Sequence, residues 1–125
     1  MNNMTKSEIL YERAIKVTPW GTQTNAKRPV LEYKGAMPFY IERGKGCRLW
    51  DVDGKEYIDY RCSLGPTILG YCYDEVDEAV RKQMEKGVLF SMASPIEIEL
   101  AELIHEMVPG AEMVKLWKMG KIPNP

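Results

Sequence analysis

Residues 38–60 carry the pattern that most constrains the fold of this chain. Three short runs of mixed apolar and polar residues are separated there by two glycine-containing turns, and they predict strands at 39–43, 47–51 and 55–60. Gly44-Lys45-Gly46 is expected to form the first turn. Asp53-Gly54 is expected to form a type I′ hairpin, because both residues tolerate a positive φ. The segment therefore predicts a three-stranded antiparallel meander.

Helices are predicted on both sides of the meander, at 2–17, at 74–86 and from residue 94 onward. Apolar residues recur at helical spacing in each of these segments. Ser7 is the expected N-cap of the first helix, and Asp74 is the expected N-cap of the second. Ser94 and Glu97 have the spacing of a capping box around Pro95, which predicts the start of the third helix.

The remaining segments suggest a change of architecture near residue 70. Residues 61–73 are apolar but broken by Gly65-Pro66 and Gly70, so we expect a buried loop there. Residues 112–117 have the character of a strand. Because the chain is β-rich and aromatic before residue 70 and helical after it, we place a domain boundary there and expect domains at 1–70 and 71–125. The fold class predicted is α/β, in the form of an α+β fragment.

The composition excludes several classes of partner. The chain has 17 Lys and Arg against 18 Asp and Glu, a net charge of −1, so it lacks the basic surface that nucleic-acid binding requires. It has no apolar run that could cross a membrane and no signal-peptide core. Its three cysteines are an odd number without C-x-x-C spacing. They indicate neither a disulfide framework nor a zinc site, and they favour a cytoplasmic setting.

No catalytic constellation emerges from the residues alone. Asp51-Val52-Asp53-Gly54 begins like a calcium loop, but the twelfth position is Cys62, so a hairpin turn fits better. The segment 65–70 lacks the lysine of a phosphate-binding loop. The single histidine, His105, lies within a predicted helix and is interpreted as structural. Lys27-Arg28 has two interpretations, a solvated pair or a contact for an anionic group.

Four segments carry a more specific signal. They are TPWGTQTNAKRP (18–29), PFYIERGKGCRLWDVDGKEYIDY (38–60), SLGPTILGYCYDEVDEAV (63–80) and SPIEIELAELIHEMVPGAEMVKLWK (94–118). In this order they resemble the N-terminal part of the class III pyridoxal-phosphate aminotransferases, a family that includes the glutamate-1-semialdehyde aminomutases. The resemblance covers about residues 7–118.

The resemblance implies an enzyme of fold-type I. The N-terminal helix and the meander would belong to its small domain, and residues 71–125 would begin its large domain with helices and a first strand. The family transfers an amino group between a small-molecule donor and acceptor through a Schiff base with pyridoxal phosphate. Members are usually homodimers with active sites at the subunit interface.

The resemblance also implies substrate-side residues in two loops, Thr24, Lys27 and Arg28 in the first and Ser63 and Leu64 in the second. The aminomutase pattern has serine, arginine and tryptophan where this chain has Thr24, Lys27 and Leu64. Loss of the arginine fork weakens bidentate contact with a carboxylate, and loss of the tryptophan opens the pocket. The departures favour an aminotransferase with another substrate over the aminomutase, which is retained as an alternative.

The end of the chain departs furthest from the family pattern. The family continues after the strand with a glycine and a helix that binds the cofactor phosphate. Only Gly120 matches here as a cofactor-binding residue, since Lys121-Ile122-Pro123-Asn124-Pro125 follows it. No lysine matches the Schiff-base motif, so we expect no catalytic residue, no retention of pyridoxal phosphate by this chain alone, and exposed apolar helix faces. A non-catalytic dimerisation module is the remaining alternative.

Overall fold

The computed structural model describes residues 4–116, whose contacts form two units that divide after Arg81. It contains three α-helices, four short 3₁₀ turns and one antiparallel sheet in the order β1-β2-β3. The bounds are α1 Lys6–Ala14, α2 Asp74–Lys86, α3 Pro95–Met107, β1 Ile41–Lys45, β2 Arg48–Asp51 and β3 Glu56–Ile58. Helices combined with a three-stranded meander confirm the predicted α/β fragment. The boundary near residue 70 stays a prediction.

The sheet forms where the turn pattern predicts it, with shorter or shifted strands. The first strand begins at Ile41 instead of residue 39, and a bulge interrupts its pairing between Ile41 and Arg43. Lys45 pairs with Arg48, so the first turn consists of Gly46 and Cys47. The guanidinium of Arg43 lies 3.5 Å from the centroid of the Trp50 ring, a cation–π contact across the β1–β2 pair.

The turn between β2 and β3 is not the predicted type I′ hairpin, because only Gly54 has a positive φ, of 86°. Gly54 N–H donates to the Asp51 carbonyl at 2.9 Å, and Asp51 N–H donates to the Lys55 carbonyl at 3.0 Å. The buried carboxylate of Asp51 accepts from the backbone N–H groups of Asp53 and Lys55. The two hydrogen bonds to the Asp51 carboxylate stabilise a three-residue loop at 52–54, in which only Gly54 is left-handed.

Helix α1 spans Lys6–Ala14 rather than the predicted 2–17, and its N-cap is Thr5 rather than Ser7. The Thr5 hydroxyl accepts from Glu8 N–H at 3.3 Å, and Thr5 N–H donates to the Glu8 carboxylate at 2.7 Å. Asp53, at the tip of the β2–β3 hairpin, accepts from Lys6 N–H at 2.8 Å and from Ser7 N–H at 3.3 Å. The backbone N–H groups of Lys6 and Ser7, which have no acceptor within the helix, are therefore bound by the hairpin tip. Ser7 is buried in this first turn.

Helices α2 and α3 lie where they are predicted. Asp74 is the first residue of α2 rather than its cap, and its carboxylate instead accepts from Lys45 Nζ at 2.7 Å. At the start of α3, Ser94 N–H donates to the Glu97 carboxylate at 3.2 Å, as the capping-box spacing predicts. His105, near the end of α3, places Nδ1 2.6 Å from the Ala111 carbonyl.

Two predictions about the second half of the sequence are wrong. Residues 112–116 form no strand, because no described residue provides them with ladder hydrogen bonds. The segment 61–73 is not buried, since Leu64 is 60% exposed and Ile68 is 83% exposed. Among residues 4–116 no apolar side chain is fully buried, which confirms the expected exposure of the apolar helix faces.

Candidate functional site

The first predicted substrate-side loop contains a short 3₁₀ turn at Asn25–Lys27. Lys27 N–H donates to the Thr24 carbonyl at 3.0 Å, and Arg28 N–H donates to the Asn25 carbonyl at 3.2 Å. Thr24, Lys27 and Arg28 are all exposed. The turn therefore presents two neighbouring cations that could contact an anionic group.

Arg28 also lines a cavity of about 200 Å³. Its guanidinium lies 5.7 Å from the centroid of the Trp20 ring, within the range of a cation–π interaction. Trp20 has a φ of 61°, an uncommon left-handed conformation for a large side chain. The remaining lining residues are Tyr11, Pro29, Val30, Leu31 and Glu32. The Trp20 ring therefore stabilises the charge of Arg28.

The second predicted loop contains a run of left-handed residues. Cys62, Ser63 and Leu64 have φ values of 46°, 53° and 68°, and Gly65 follows at 124°. A non-glycine residue in this region costs about 1–2 kcal/mol, because its Cβ crowds the following carbonyl. Three in succession require compensating contacts nearby.

Asp59 and Tyr71 supply those contacts. The Asp59 carboxylate accepts from Arg61 N–H at 2.8 Å and from the Tyr71 hydroxyl at 2.6 Å. The Tyr71 oxygen also lies 3.0 Å from Ser63 Oγ. The hydrogen bond from Tyr71, with backbone bonds from Arg61, Cys62 and Ser63, lowers the pKa of Asp59. The ionised carboxylate therefore binds the turn from one side.

Tyr71 is itself held firmly against β1. Tyr71 N–H donates to the Gly46 carbonyl at 2.8 Å, and Gly46 N–H donates back to the Tyr71 carbonyl at 2.9 Å. Its ring lies directly over Gly44, where an added Cβ would come within 2.7 Å of the ring carbon Cγ. Glycine at position 44 therefore allows the ring to pass over the strand and reach Asp59.

One hydrogen bond brings the two predicted loops together. Arg61 Nη2 donates to the Ala26 carbonyl at 3.1 Å, and Ala26 lies between Thr24 and Lys27. Sequence reasoning missed the three residues that shape this region, Asp59, Arg61 and Tyr71. Asp59 and Arg61 are close in sequence, but their contacts with Tyr71 and Ala26 span 12 and 35 residues, and the Tyr71–Ser63 contact spans 8. Gly120, the predicted cofactor-binding residue, lies outside the described residues.

The sequence profile of the family described as aminotransferase class-III matches residues 31–122. This chain belongs to the class III aminotransferase family. It is 44% identical over 119 residues to a glutamate-1-semialdehyde 2,1-aminomutase of Acetivibrio thermocellus, covering 94% of this chain and 27% of that enzyme. The chain thus spans about a quarter of the curated relatives that it matches.

Solved structures of transaminases have a similar fold. An omega-transaminase from Sphaerobacter thermophilus matches with a TM-score of 0.79 and 34% identity over 90% of this chain and 24% of that chain. The FumI protein of Sphingopyxis sp. MTA144, in its PLP internal aldimine form, matches with a TM-score of 0.71 and 35% identity. That match covers 82% of this chain and 24% of FumI.

The residues described in this class III chain do not fit pyridoxal phosphate. Every described lysine is exposed, whereas a Schiff-base lysine requires a depressed pKa or a neighbouring base. A hydrogen bond to Asp74 instead raises the pKa of Lys45. The exposed 65–70 turn precedes no phosphate-binding helix, since α2 begins at Asp74 with Glu75 and Asp77 in its first turn. These carboxylates would repel a phosphate group at the N-terminus of α2.

No group of three or more His, Cys, Asp and Glu residues between positions 4 and 116 could hold a metal ion. In the same range, no helix is long and apolar enough to cross a lipid bilayer.

Proposed function

We propose that this chain provides substrate-side loops of a pyridoxal-phosphate-dependent aminotransferase that acts on small molecules. The observation that carries the proposal is membership of the class III family over residues 31–122. The geometry supports it through the Arg61–Ala26 hydrogen bond, which brings the two loops of the family pattern together. The residues that hold the cofactor would lie outside the described part, and this chain would contribute binding rather than chemistry.

The loop residues support transamination of a carboxylate-bearing substrate over the aminomutase reaction. Lys27 and Arg28 present a cationic pair, but Lys27 is a point charge where the aminomutase pattern has a planar arginine. Leu64 is 60% exposed and leaves more space than the tryptophan of that pattern. The aminomutase activity remains the second candidate, because the relative from Acetivibrio thermocellus is 44% identical.

The proposal extends to architecture and setting. Residues 71–125 would begin the large domain of a fold-type I enzyme, and the longer enzyme would be a homodimer. The exposed apolar residues along α2 and α3, such as Val80 and Leu103, are compatible with cover by further protein. The three cysteines are unpaired and exposed, which supports a reducing, cytoplasmic setting.

A chimera tests the proposed function. Residues 4–116 of this chain would replace the corresponding part of the Acetivibrio thermocellus aminomutase, which supplies the remainder of the enzyme. Amine transfer from donor amines to keto acids and isomerisation of glutamate-1-semialdehyde would both be measured. The intact relative and the 125-residue chain with pyridoxal phosphate serve as controls.

The outcomes separate the candidate functions. Amine transfer by a chimera with weakened isomerisation supports the aminotransferase, whereas isomerisation at the rate of the relative supports the aminomutase. A folded, cofactor-loaded chimera without either activity would favour the non-catalytic module. Amine transfer by the 125-residue chain alone would contradict the division of roles proposed here.

A further inference from the structure

The 3₁₀ turn of the first loop leaves the Ala26 carbonyl without a donor inside the turn. The last hydrogen bond of the turn runs from Arg28 N–H to the Asn25 carbonyl at 3.2 Å. The next carbonyl in the series belongs to Ala26, and its partner three residues later would be Pro29, which has no N–H to donate. The Ala26 carbonyl therefore needs a donor from water or from another part of the chain.

Arg61 provides that donor and also holds the second loop. Its Nη2 donates to the Ala26 carbonyl at 3.1 Å, a bond strengthened by the charge of the guanidinium. Its backbone N–H donates to the Asp59 carboxylate at 2.8 Å, and its carbonyl accepts from Leu64 N–H at 2.8 Å. One residue thus binds the second loop through its main chain and the first loop through its side chain.

We propose that Arg61 is a positioning residue that fixes the 24–28 loop against the 62–65 turn. The inference rests on the proposed function and deepens it, since these are its two substrate-side loops. None of the ion pairs between described residues involves Arg61, so no carboxylate draws its side chain away from Ala26. The cations of the first loop are thereby presented at a defined distance from the turn.

A positioning role and a merely structural role predict different effects when the guanidinium is removed. Arg61→Met retains an unbranched side chain and the backbone bonds to Asp59 and Leu64, and it loses the bond to Ala26. If Arg61 positions the loops, the first loop loosens while the second is retained. If Arg61 only stabilises the fold, both loops loosen together. Arg61→Lys should rescue the positioning role, because one N–H donor to a carbonyl does not require the planar fork.

Water-exchange NMR on the ¹⁵N-labelled 125-residue chain measures this difference. In Arg61→Met we expect the amides of Lys27 and Arg28 to exchange about two- to fivefold faster, because their turn loses its external hydrogen bond. The Leu64 amide should keep its original rate. Arg61→Lys should restore slow exchange to within about twofold. Arg13→Met, which removes an exposed guanidinium from α1, is the control and should change neither loop.

The chimera supplies a second measurement. In it, Arg61→Met should raise KM for the keto acid about three- to tenfold with kcat within about twofold, because a displaced binding loop weakens ground-state and transition-state binding alike. Arg61→Lys should recover most of the loss in KM. Arg13→Met should leave both constants unchanged.

The outcomes separate this inference from the proposed function. Unchanged exchange at Lys27 and Arg28 in Arg61→Met, equal acceleration at Leu64, or no rescue by Arg61→Lys would overturn the positioning role. A loss confined to kcat in an active chimera would overturn it as well. A chimera without activity would count against the proposed function alone, since exchange in the 125-residue chain still decides whether Arg61 holds the first loop.

Discussion

Asp53 connects the hairpin tip to the first helix through its carboxylate, which caps the N–H groups of Lys6 and Ser7. We expect Asp53→Ala to destabilise the first turn of α1 by about 0.5–1 kcal/mol, the low end of the capping range, because the carboxylate is exposed to solvent. Amide exchange of Ser7 to Tyr11 should accelerate about two- to fivefold. Glu12→Ala, which removes an exposed charge from the same helix, is the control. Unchanged exchange in Asp53→Ala would show that Thr5 alone caps the helix.

Under the proposed function, Lys27 and Leu64 are the positions at which one residue each would separate the two candidate reactions. In the chimera, Lys27→Arg with Leu64→Trp should raise isomerisation of glutamate-1-semialdehyde roughly tenfold relative to amine transfer, since it restores a bidentate fork and fills the pocket. The ratio of kcat/KM values for the two reactions measures the effect. Arg13→Lys, on α1, provides a control at a position that the family pattern does not assign to the substrate. A ratio that does not move would remove both residues from the specificity argument.

Gly44 shows how one strand residue positions an element that is distant in sequence. We expect Gly44→Ala to cost about 1–3 kcal/mol, because its Cβ would come within 2.7 Å of the Tyr71 ring and neither strand nor ring can move independently. Amide exchange along the β1–β2 ladder should accelerate, and Asp59 should lose its tyrosine partner. Glu42→Ala, an exposed neighbour on β1, should leave the exchange near its original rate. Retention of the Tyr71–Asp59 bond in Gly44→Ala would contradict this account.

Elements with local signals could be predicted from the sequence. The meander follows from two turns within 23 residues, and α3 follows from Ser94, Pro95 and Glu97 within four. The cap of α1 could not be predicted in the same way, because Asp53 contributes to it from 46 residues away. Of the strand predicted at 112–117, the described residues 112–116 form none, for a related reason: a strand requires a partner that sequence periodicity does not reveal.

In the candidate site, too, the sequence identified residues but not the long-range contacts between them. Thr24, Lys27, Arg28, Ser63 and Leu64 were named through the family pattern alone. The contact that brings their loops together, from Arg61 to Ala26, spans 35 residues and leaves no trace in local composition. The left-handed turn was equally hidden, because Cys62, Ser63 and Leu64 are not residue types that favour a positive φ. Backbone hydrogen bonds to Asp59, whose carboxylate also accepts from Tyr71 12 residues away, stabilise it.

At the scale of the whole molecule, paired carboxylates predict acid sensitivity. Hydrogen bonds from Lys34, Tyr71 and Lys45 lower the pKa values of Glu8, Asp59 and Asp74 below the ordinary values of 4.5, 3.8 and 3.8. A lowered pKa in the folded chain adds stability above the unfolded value, and this contribution is lost as the pH falls through the folded value. Sheet resonances should therefore weaken below about pH 4. Asp59→Asn should reduce this acid dependence, and a flat response from pH 7 to 2 would contradict it.

The alkaline limit has a different origin. Burial, with a hydrogen bond to Asp51, raises the pKa of Tyr57 from 10.0 to about 12. A raised pKa adds stability that is fully present below pH 10 and is lost as the pH rises through the folded value. We expect the sheet signal to persist to about pH 10 and to fall toward pH 12, together with tyrosinate absorbance at 295 nm. Tyr57→Phe should remove the Tyr57 contribution to that fall, and an unchanged profile would assign it to another group.

The exposed apolar side chains predict self-association of this chain. Ile68 is 83% exposed and Leu89 is 96% exposed, while no apolar side chain among residues 4–116 is buried. Burial of such surface between copies is favourable, and a chain without a closed core has little to resist it. Sedimentation velocity should show association that increases with concentration, and the thermal transition should be broad. Ile68→Gln and Leu89→Gln should each weaken association about three- to tenfold, whereas Glu75→Gln should not. A dilute monomer with a sharp, cooperative thermal transition would contradict this expectation, because it would require a core that these side chains do not form.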